Sequence, residues 1–404
     1  MKVRLGLVLL LATTLAAERR VIFPPGVKPV GPYSPGILAG DFLYVSGQGA
    51  RRLDGQMPTT FEEQVAQCLE NVKTIVEAAG LTMEHVVYTH VYLDNRANYE
   101  AMSSAFAHYF PRNPPARATV GVAHLPTDTP VEINAVAVRD LAMKKPIVPA
   151  GDPKPVAFTP GMLAGDRLYI SGSAGRGPDG KIPADPAEQV ERSLDRFHQV
   201  LTAAGMDFPN VVFVNPYLTN QVPMDVMNRS YAKRFEFGNT PGRATIQVSW
   251  LAHDANITFT GVAVRDLAKR RAVRPKNMPP SPTASPCVFA GDTFYCSAKS
   301  GFIPGPNSGI YSDDVETQVR QTMRNLLDGL EEAGLNFSNV VASNVYLDNL
   351  EEFGKMNGIY AKFFNTSPPA RTTVAPLAPV ERKRDAAGHS PMVEQISIIA
   401  VADQ

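Results

Sequence analysis

Three arginines recur at one place in a repeated pattern: Arg117 in Pro114-Pro115-Ala116-Arg117-Ala118-Thr119-Val120, Arg243 in Pro241-Gly242-Arg243-Ala244-Thr245-Ile246, and Arg371 in Pro368-Pro369-Ala370-Arg371-Thr372-Thr373-Val374. A rigid turn delivers each guanidinium to the start of a strand, where its planar fork suits a carboxylate. A structural ion pair, or a cap on carbonyls between repeats, fits the same pattern. Glu132 follows Arg117 by fifteen residues in Val131-Glu132-Ile133-Asn134. Alternation along that strand turns Glu132 away from its apolar neighbours, toward a groove or a shared centre. There it could activate water if burial raised its pKa, or pair with an arginine. The second copy has Thr258 at this offset, and the third has an insertion before Val393-Glu394-Gln395-Ile396 that makes Glu394 the expected counterpart. The 3 cysteines and 7 scattered histidines lack metal-ligand spacing, so no metal site is expected.

The elements that must position these groups repeat three times. Gly40-Asp41 followed by Phe-Leu-Tyr-Val-Ser-Gly returns as Gly165-Asp166 with Arg-Leu-Tyr-Ile-Ser-Gly and as Gly291-Asp292 with Thr-Phe-Tyr-Cys-Ser-Ala, at spacings of 125 and 126 residues. Gly80, Gly205 and Gly334 close matching helical segments, and Tyr92, Tyr217 and Tyr346 precede Leu in the strand that follows. A period this long describes whole domains. In the first repeat the Gly40-Asp41 hairpin leads to a helix announced by Thr60 and Glu63 and carried by Val65, Leu69, Val72, Ile75 and Val76. Next come a buried strand at 86–93, a helix at 99–110 stopped by Pro114-Pro115, and strands at 118–122 and 131–138. The class is α+β, with repeats at 22–140, 155–266 and 280–402. Helices cover one face of each sheet and leave the other apolar face open, so the three open faces are expected to meet on a pseudo-threefold axis with a groove between each pair of neighbours. Residues 144–156 and 269–286, rich in proline, read as extended linkers.

Counting outward from Ala290 and Thr293 across the third Gly-Asp turn sets Cys287 opposite Cys296, close enough for a disulfide. A one-residue slip would put the two on opposite faces. Two free buried thiols are the alternative.

Lys+Arg and Asp+Glu both number 39, and no basic strip interleaved with aromatics appears, so no nucleic-acid partner is expected. Residues 1–17 combine a basic start, an apolar run from Leu5 to Leu15 and small residues at Ala16-Ala17. This pattern reads as a signal peptide, too short to span a bilayer, which predicts export to the periplasm or beyond and no stable membrane insertion afterwards.

Gly31-Pro32-Tyr33-Ser34-Pro35, Tyr44-Val45-Ser46-Gly47-Gln48, Glu70-Asn71-Val72-Lys73 and Pro115-Ala116-Arg117 through Val131-Glu132-Ile133 together resemble the RidA family of reactive-intermediate deaminases, also labelled YjgF-type or L-PSP endoribonuclease-type. The resemblance is fullest over 22–140 and weaker over the other two repeats. It implies a chorismate-mutase-like fold that trimerises, here as an intrachain pseudo-trimer, and hydrolysis of 2-imino or enamino acids to 2-oxo acids and ammonia without a cofactor. It assigns the substrate carboxylate to an arginine and a water to a glutamate, with tyrosine and the Ser-Gly backbone lining the pocket. The matching residues are Arg117, Glu132, Tyr33, Ser46 and Gly47. The second repeat keeps Arg243, Ser171 and Gly172 but has Phe158 and Thr258; the third keeps Arg371 and Ser297 but has Ala284 and Ala298. The family's helix asparagine is Ser103, then Asn228 and Asn357. Because each groove draws on two repeats, few grooves can be complete. The expectations are therefore an imine hydrolase, a binder of small carboxylates that has lost turnover, or a structural module. A nuclease has neither a His pair nor a basic groove to work with.

Overall fold

The computed structural model describes residues 19–305, 309–364 and 367–403; the proposed signal peptide at 1–17 lies outside them. Each repeat is a mixed sheet with two helices on one face. The first long helix, α1 (Phe61–Ala78), begins with a reciprocal cap between Thr60 and Glu63 and buries Val65, Cys68, Leu69, Val72, Ile75 and Val76 against its sheet. Its second helix is α2 (Tyr99–Tyr109), which buries Met102 and Phe106. The second repeat has α3 (Pro186–Ala203), capped by Asp185, and α4 (Met224–Ala232). The third has α5 (Val315–Glu332), capped by Asp314, and α6 (Phe353–Tyr360).

In the first sheet, Phe42–Gln48 lies between Gly36–Ala39 and Val131–Val138; Val86–Leu93 follows, and then Ala116–Gly121. Only the last two run parallel, because α2 carries the chain back across the sheet between them. The other repeats keep this order. The Gly-Asp hairpins need a left-handed residue, which glycine supplies at φ +55° to +65° in Gly40, Gly165 and Gly291.

The linkers do more than span. Lys144–Ile147 pairs with Gly161–Ala164, and Arg270–Val273 pairs with Cys287–Ala290, as Arg20–Ile22 does with Gly36–Ala39. Each hairpin has an open edge whose N–H and C=O groups need partners, and the incoming chain supplies them. Cys287 faces Cys296 in the third hairpin, their Cα atoms are 4.0 Å apart, and the sulfurs are bonded. Cys68 is a buried free thiol.

The open faces meet. One apolar cluster gathers Tyr44, Tyr169 and Tyr295 with their neighbours from all three repeats, and a second gathers Tyr92, Tyr217 and Tyr346. Both are formed by equivalent residues, so the three sheets surround one pseudo-threefold axis. Neighbours are also stitched by backbone: Ser34 N–H donates to Pro369 O at 3.0 Å, Thr159 to Pro115 O at 3.1 Å and Ser285 to Pro241 O at 3.0 Å. Trp250–Leu251 leaves its own sheet to pair with Ala116–Gly121 of the first repeat, and its ring occupies the space that a side chain at Gly121 would need.

Candidate functional site

The three stitches lie beside the three arginines and fix which repeats share a groove. Arg117 meets the second repeat, Arg243 the third, and Arg371 the first. Tyr33 and Glu132 therefore belong with Arg371. The expected trio of Arg117, Glu132 and Tyr33 is not one site: Arg117 lies in a different groove, because each arginine points to the repeat that follows it around the ring.

The groove between the third and first repeats is lined by Tyr33, Gly47, Glu132, Phe353, Arg371 and Thr373, among others, and encloses about 70 Å³. Arg371 enters it from the strand Ala370–Val374 and is 4% exposed. Its guanidinium carbon sits 4.9 Å from the Tyr360 ring centroid and 5.5 Å from those of Tyr33 and Phe353. Burial lowers its pKa, with Tyr360, Tyr33 and Glu132 acting in the opposite direction. Among the described residues it forms no ion pair with a carboxylate within 4 Å. A buried guanidinium held by aromatic faces and left without an anion suits an incoming carboxylate. Gly31 lets the Tyr33 loop close on it: a Cβ there would lie 2.9 Å from Arg371 Nη2 and 3.0 Å from Asn357 Nδ2. Asn357, on α6, thus stands beside the arginine, with its Oδ1 buried and unpartnered.

Glu132 approaches from the opposite wall. Burial pushes its pKa up to about 8, against the pull of Arg371 and a hydrogen bond from the Thr373 backbone. Gly47 is what admits it, since a Cβ at this position would fall 2.0 Å from Glu132 Oε1. The Tyr33 hydroxyl accepts from Val30 N–H at 3.4 Å, and burial raises its pKa. The Ser46 hydroxyl is turned to the scaffold instead, donating to Pro35 O and accepting from Gln48 Nε2, both at 2.9 Å.

The other two grooves are differently equipped. Arg117, 3% exposed, donates to Ser103 Oγ at 2.9 Å and lies 4.8 Å from the Phe158 and Phe106 ring centroids. Its backbone N–H donates to Ser171 Oγ at 2.8 Å, so that hydroxyl serves the junction, while Gly172 faces Thr258 where the groove of Arg371 has Gly47 facing Glu132. Arg243 donates to Asn228 Oδ1 at 2.8 Å in a groove with Ala284, Ala298, Lys299 and Gln395.

Glu394 is not the counterpart of Glu132. The ladder pairs Tyr92 with Glu132, Tyr217 with Thr258 and Tyr346 with Gln395, which leaves Glu394 opposite Leu347 and facing the helices. There it accepts from Thr322 Oγ1 of α5, and burial lifts its pKa to about 8. The insertion before it hides the one-residue register difference that decides the face. Phe353 and Thr373 were not anticipated. Thr373 could have been found two residues after Arg371 on an alternating strand, whereas nothing in the sequence marks Phe353.

The family described as Endoribonuclease L-PSP matches the chain three times, over residues 25–139, 152–265 and 277–380. A RutC family protein of Saccharolobus solfataricus is 40% identical over 112 residues, covering 27% of this chain and 89% of that protein. One from Pyrococcus horikoshii is 38% identical over 125 residues, covering 30% and 99% respectively. The crystal structure of the YjgF gene product of E. coli is similar at 34% identity, over 30% of this chain and 99% of that one, with a TM-score of 0.29.

Proposed function

Because this chain belongs to the Endoribonuclease L-PSP family, RidA/YjgF-type, as a tandem triplication, we propose that it hydrolyses small 2-imino acids to 2-oxo acids and ammonia in the groove between its third and first repeats. One observation carries the reading: Arg371, Tyr33 and Glu132 come together there, whereas neither other groove holds a carboxylate at the position of Glu132.

The roles follow from placement. Arg371 takes the substrate carboxylate, and Asn357 and Tyr33 bound the pocket beside it. Glu132 holds a water against the imine carbon. As the water oxygen bonds to that carbon, one water proton passes to the Glu132 carboxylate and from there to the imine nitrogen, giving an amino alcohol. The hydroxyl then gives its proton to the amino group as the carbon–nitrogen bond breaks, so that ammonia leaves, the 2-oxo acid remains and Glu132 is again a carboxylate. No electron changes hands, so the step needs no redox partner. A carboxylate whose pKa is lifted by burial is a stronger base than an exposed one.

The test is turnover of 2-imino acids generated in situ, measured above their spontaneous hydrolysis, for the parent and for R371Q, E132Q, R117Q and R243Q. The proposal expects R371Q and E132Q to lose at least about 100-fold in kcat/KM, near 2.7 kcal/mol, and the other two to keep parental turnover. It also expects parental kcat/KM to rise with pH up to about 8, the value for Glu132. Carboxylate binding without turnover in the parent would select the binding-only reading. Export, a periplasmic or extracellular location and a monomeric working chain belong to the same proposal; N-terminal sequencing of the mature protein and its mass in solution check them.

A further inference from the structure

The groove between the first and second repeats departs from the other two in a way that loss of hydrolysis does not explain. On α1, Asn71 ties down the loop after the central strand, donating from Nδ2 to Gly49 O and Arg51 O, both at 2.9 Å, and Gln67 steadies it with a 2.8 Å bond. On α5, Asn325 and Gln321 repeat the arrangement, with Asn325 bonded to Ser300 O and Phe302 O at 2.9 and 3.0 Å. The same two positions on α3 are Arg192 and Arg196. Neither holds the loop, which is secured instead by a bond of 2.9 Å from Gly175 N–H to Ser193 Oγ.

The released space is part of the groove. It encloses about 510 Å³, and its lining runs from Arg117 and Phe158 to Arg176, Arg192 and Arg196. Asp195 is the one carboxylate in that lining, and it is bonded to Arg234 at 2.9 Å. Arg192 is tied to Glu188 through Nε and Nη2, which leaves its Nη1 outside that pair, and Arg196 is tied to Asp152 through Nη1 and Nη2, so both arginines are held in place. At the other end Arg117 is buried, and its Nη1 has no hydrogen-bond partner.

We propose that this groove is a second ligand site, distinct from the hydrolytic one, that binds a small organic acid carrying a second anionic group, a dicarboxylate or a phosphorylated acid. One carboxylate meets Arg117 and the second anion meets the Arg192 and Arg196 wall. Thr258 stands where the hydrolytic groove has Glu132, so the ligand is held without being hydrolysed. The site therefore selects by charge number, which a single arginine cannot do.

Calorimetry tests this on the full chain with succinate and 3-phosphoglycerate as dianionic probes and butanoate as the monoanionic one. The expected result is at least about tenfold tighter binding of a dianion, about 1.4 kcal/mol, and whichever probe binds better identifies the second head group. The double variant R192Q/R196N installs the residues that α1 and α5 already carry, so its fold should survive. It should cut the preference to under about twofold while butanoate binding stays as in the parent, and R117Q should abolish binding of both dianions. Equal affinity for butanoate and the dianions in the parent would overturn the proposal. So would a preference that survives R192Q/R196N, or one removed by R371Q and untouched by R117Q.

Discussion

Replacing Gly47 by alanine adds one methyl group to the groove between the third and first repeats, and its neighbours set the outcome if that groove hydrolyses imines as proposed. The new carbon would lie 2.0 Å from Glu132 Oε1 and 2.9 Å from its Cδ, against a floor of 3.0 Å for real Cβ contacts, so the carboxylate must retreat by about 1 Å. A side chain, not the backbone, takes up that shift, and the overpacking should cost only about 1 kcal/mol of stability. The chemistry is less tolerant. Displacing a water-holding group by about 1 Å lowers the rate on the order of 100-fold, or about 2.7 kcal/mol in the barrier. Arg371 is untouched, so affinity for a 2-oxo acid should stay within about threefold. Gly172→Ala is the internal control, because its methyl would meet Thr258 Oγ1 at 3.2 Å in a groove without a carboxylate. The assay is kcat/KM on imines generated in situ, alongside product binding and thermal melting, for G47A, G172A, E132Q and G47A/E132Q. If both act through the same carboxylate, the double variant should be no slower than E132Q alone. A folded G47A protein with turnover within about threefold of the parent would refute the placement of Glu132 against the reacting water.

Two further predictions concern stability. Glu394 is held near 8 in the folded chain against an ordinary value of 4.5. Between those values the native state keeps a proton that the unfolded chain has released, so stability falls as pH rises from about 4.5 to 8. Glu132 adds a second such slope, so E394Q should lessen the slope and E394Q/E132Q flatten it in melts run from pH 5 to 8.5, with imine turnover unchanged in E394Q, and a slope unaltered by E394Q would refute the assignment. The disulfide of Cys287 and Cys296 closes a short hairpin that its own ladder already holds, so C287S/C296S should cost roughly 2 kcal/mol or less, and denatured non-reduced protein should take up one alkyl group, at Cys68, with uptake at three sites refuting the bond.

What could be read from sequence was mostly local. The three repeats, the Thr60 to Glu63 helix start and the pairing of Cys287 with Cys296 each depend on a few adjacent residues or on counting out from one turn. What could not be read depended on distant geometry. Nothing near Arg117 says whether it meets the repeat before or after it, because the hand of the ring is set by how whole sheets pack. Glu394 was misplaced because a residue count cannot cross an insertion, whereas the ladder from Tyr346 to Gln395 can. The linkers hid edge strands because Lys144–Ile147 pairs with a partner more than ten residues away and has little apolar pattern of its own. Arg192 and Arg196 were legible in principle: setting the three long helices side by side shows asparagine at one position twice and arginine once.

The groove proposed to hydrolyse imines takes Tyr33 and Glu132 from the first repeat and Arg371 from the third. A ribosome releases the first repeat long before the last, so the groove between the first and second repeats can close on the nascent chain while the other two, this one included, wait for the third sheet to dock. Activity would then report that the third repeat has been made and docked, and a chain cut short before Arg371 would carry one finished junction, between the first and second repeats, and lack the pocket of Arg371. Tethering also frees the finished ring from mass action. Three separate subunits come apart when diluted, whereas here the joining of last to first is intramolecular and depends on linker reach, not on how many molecules are nearby.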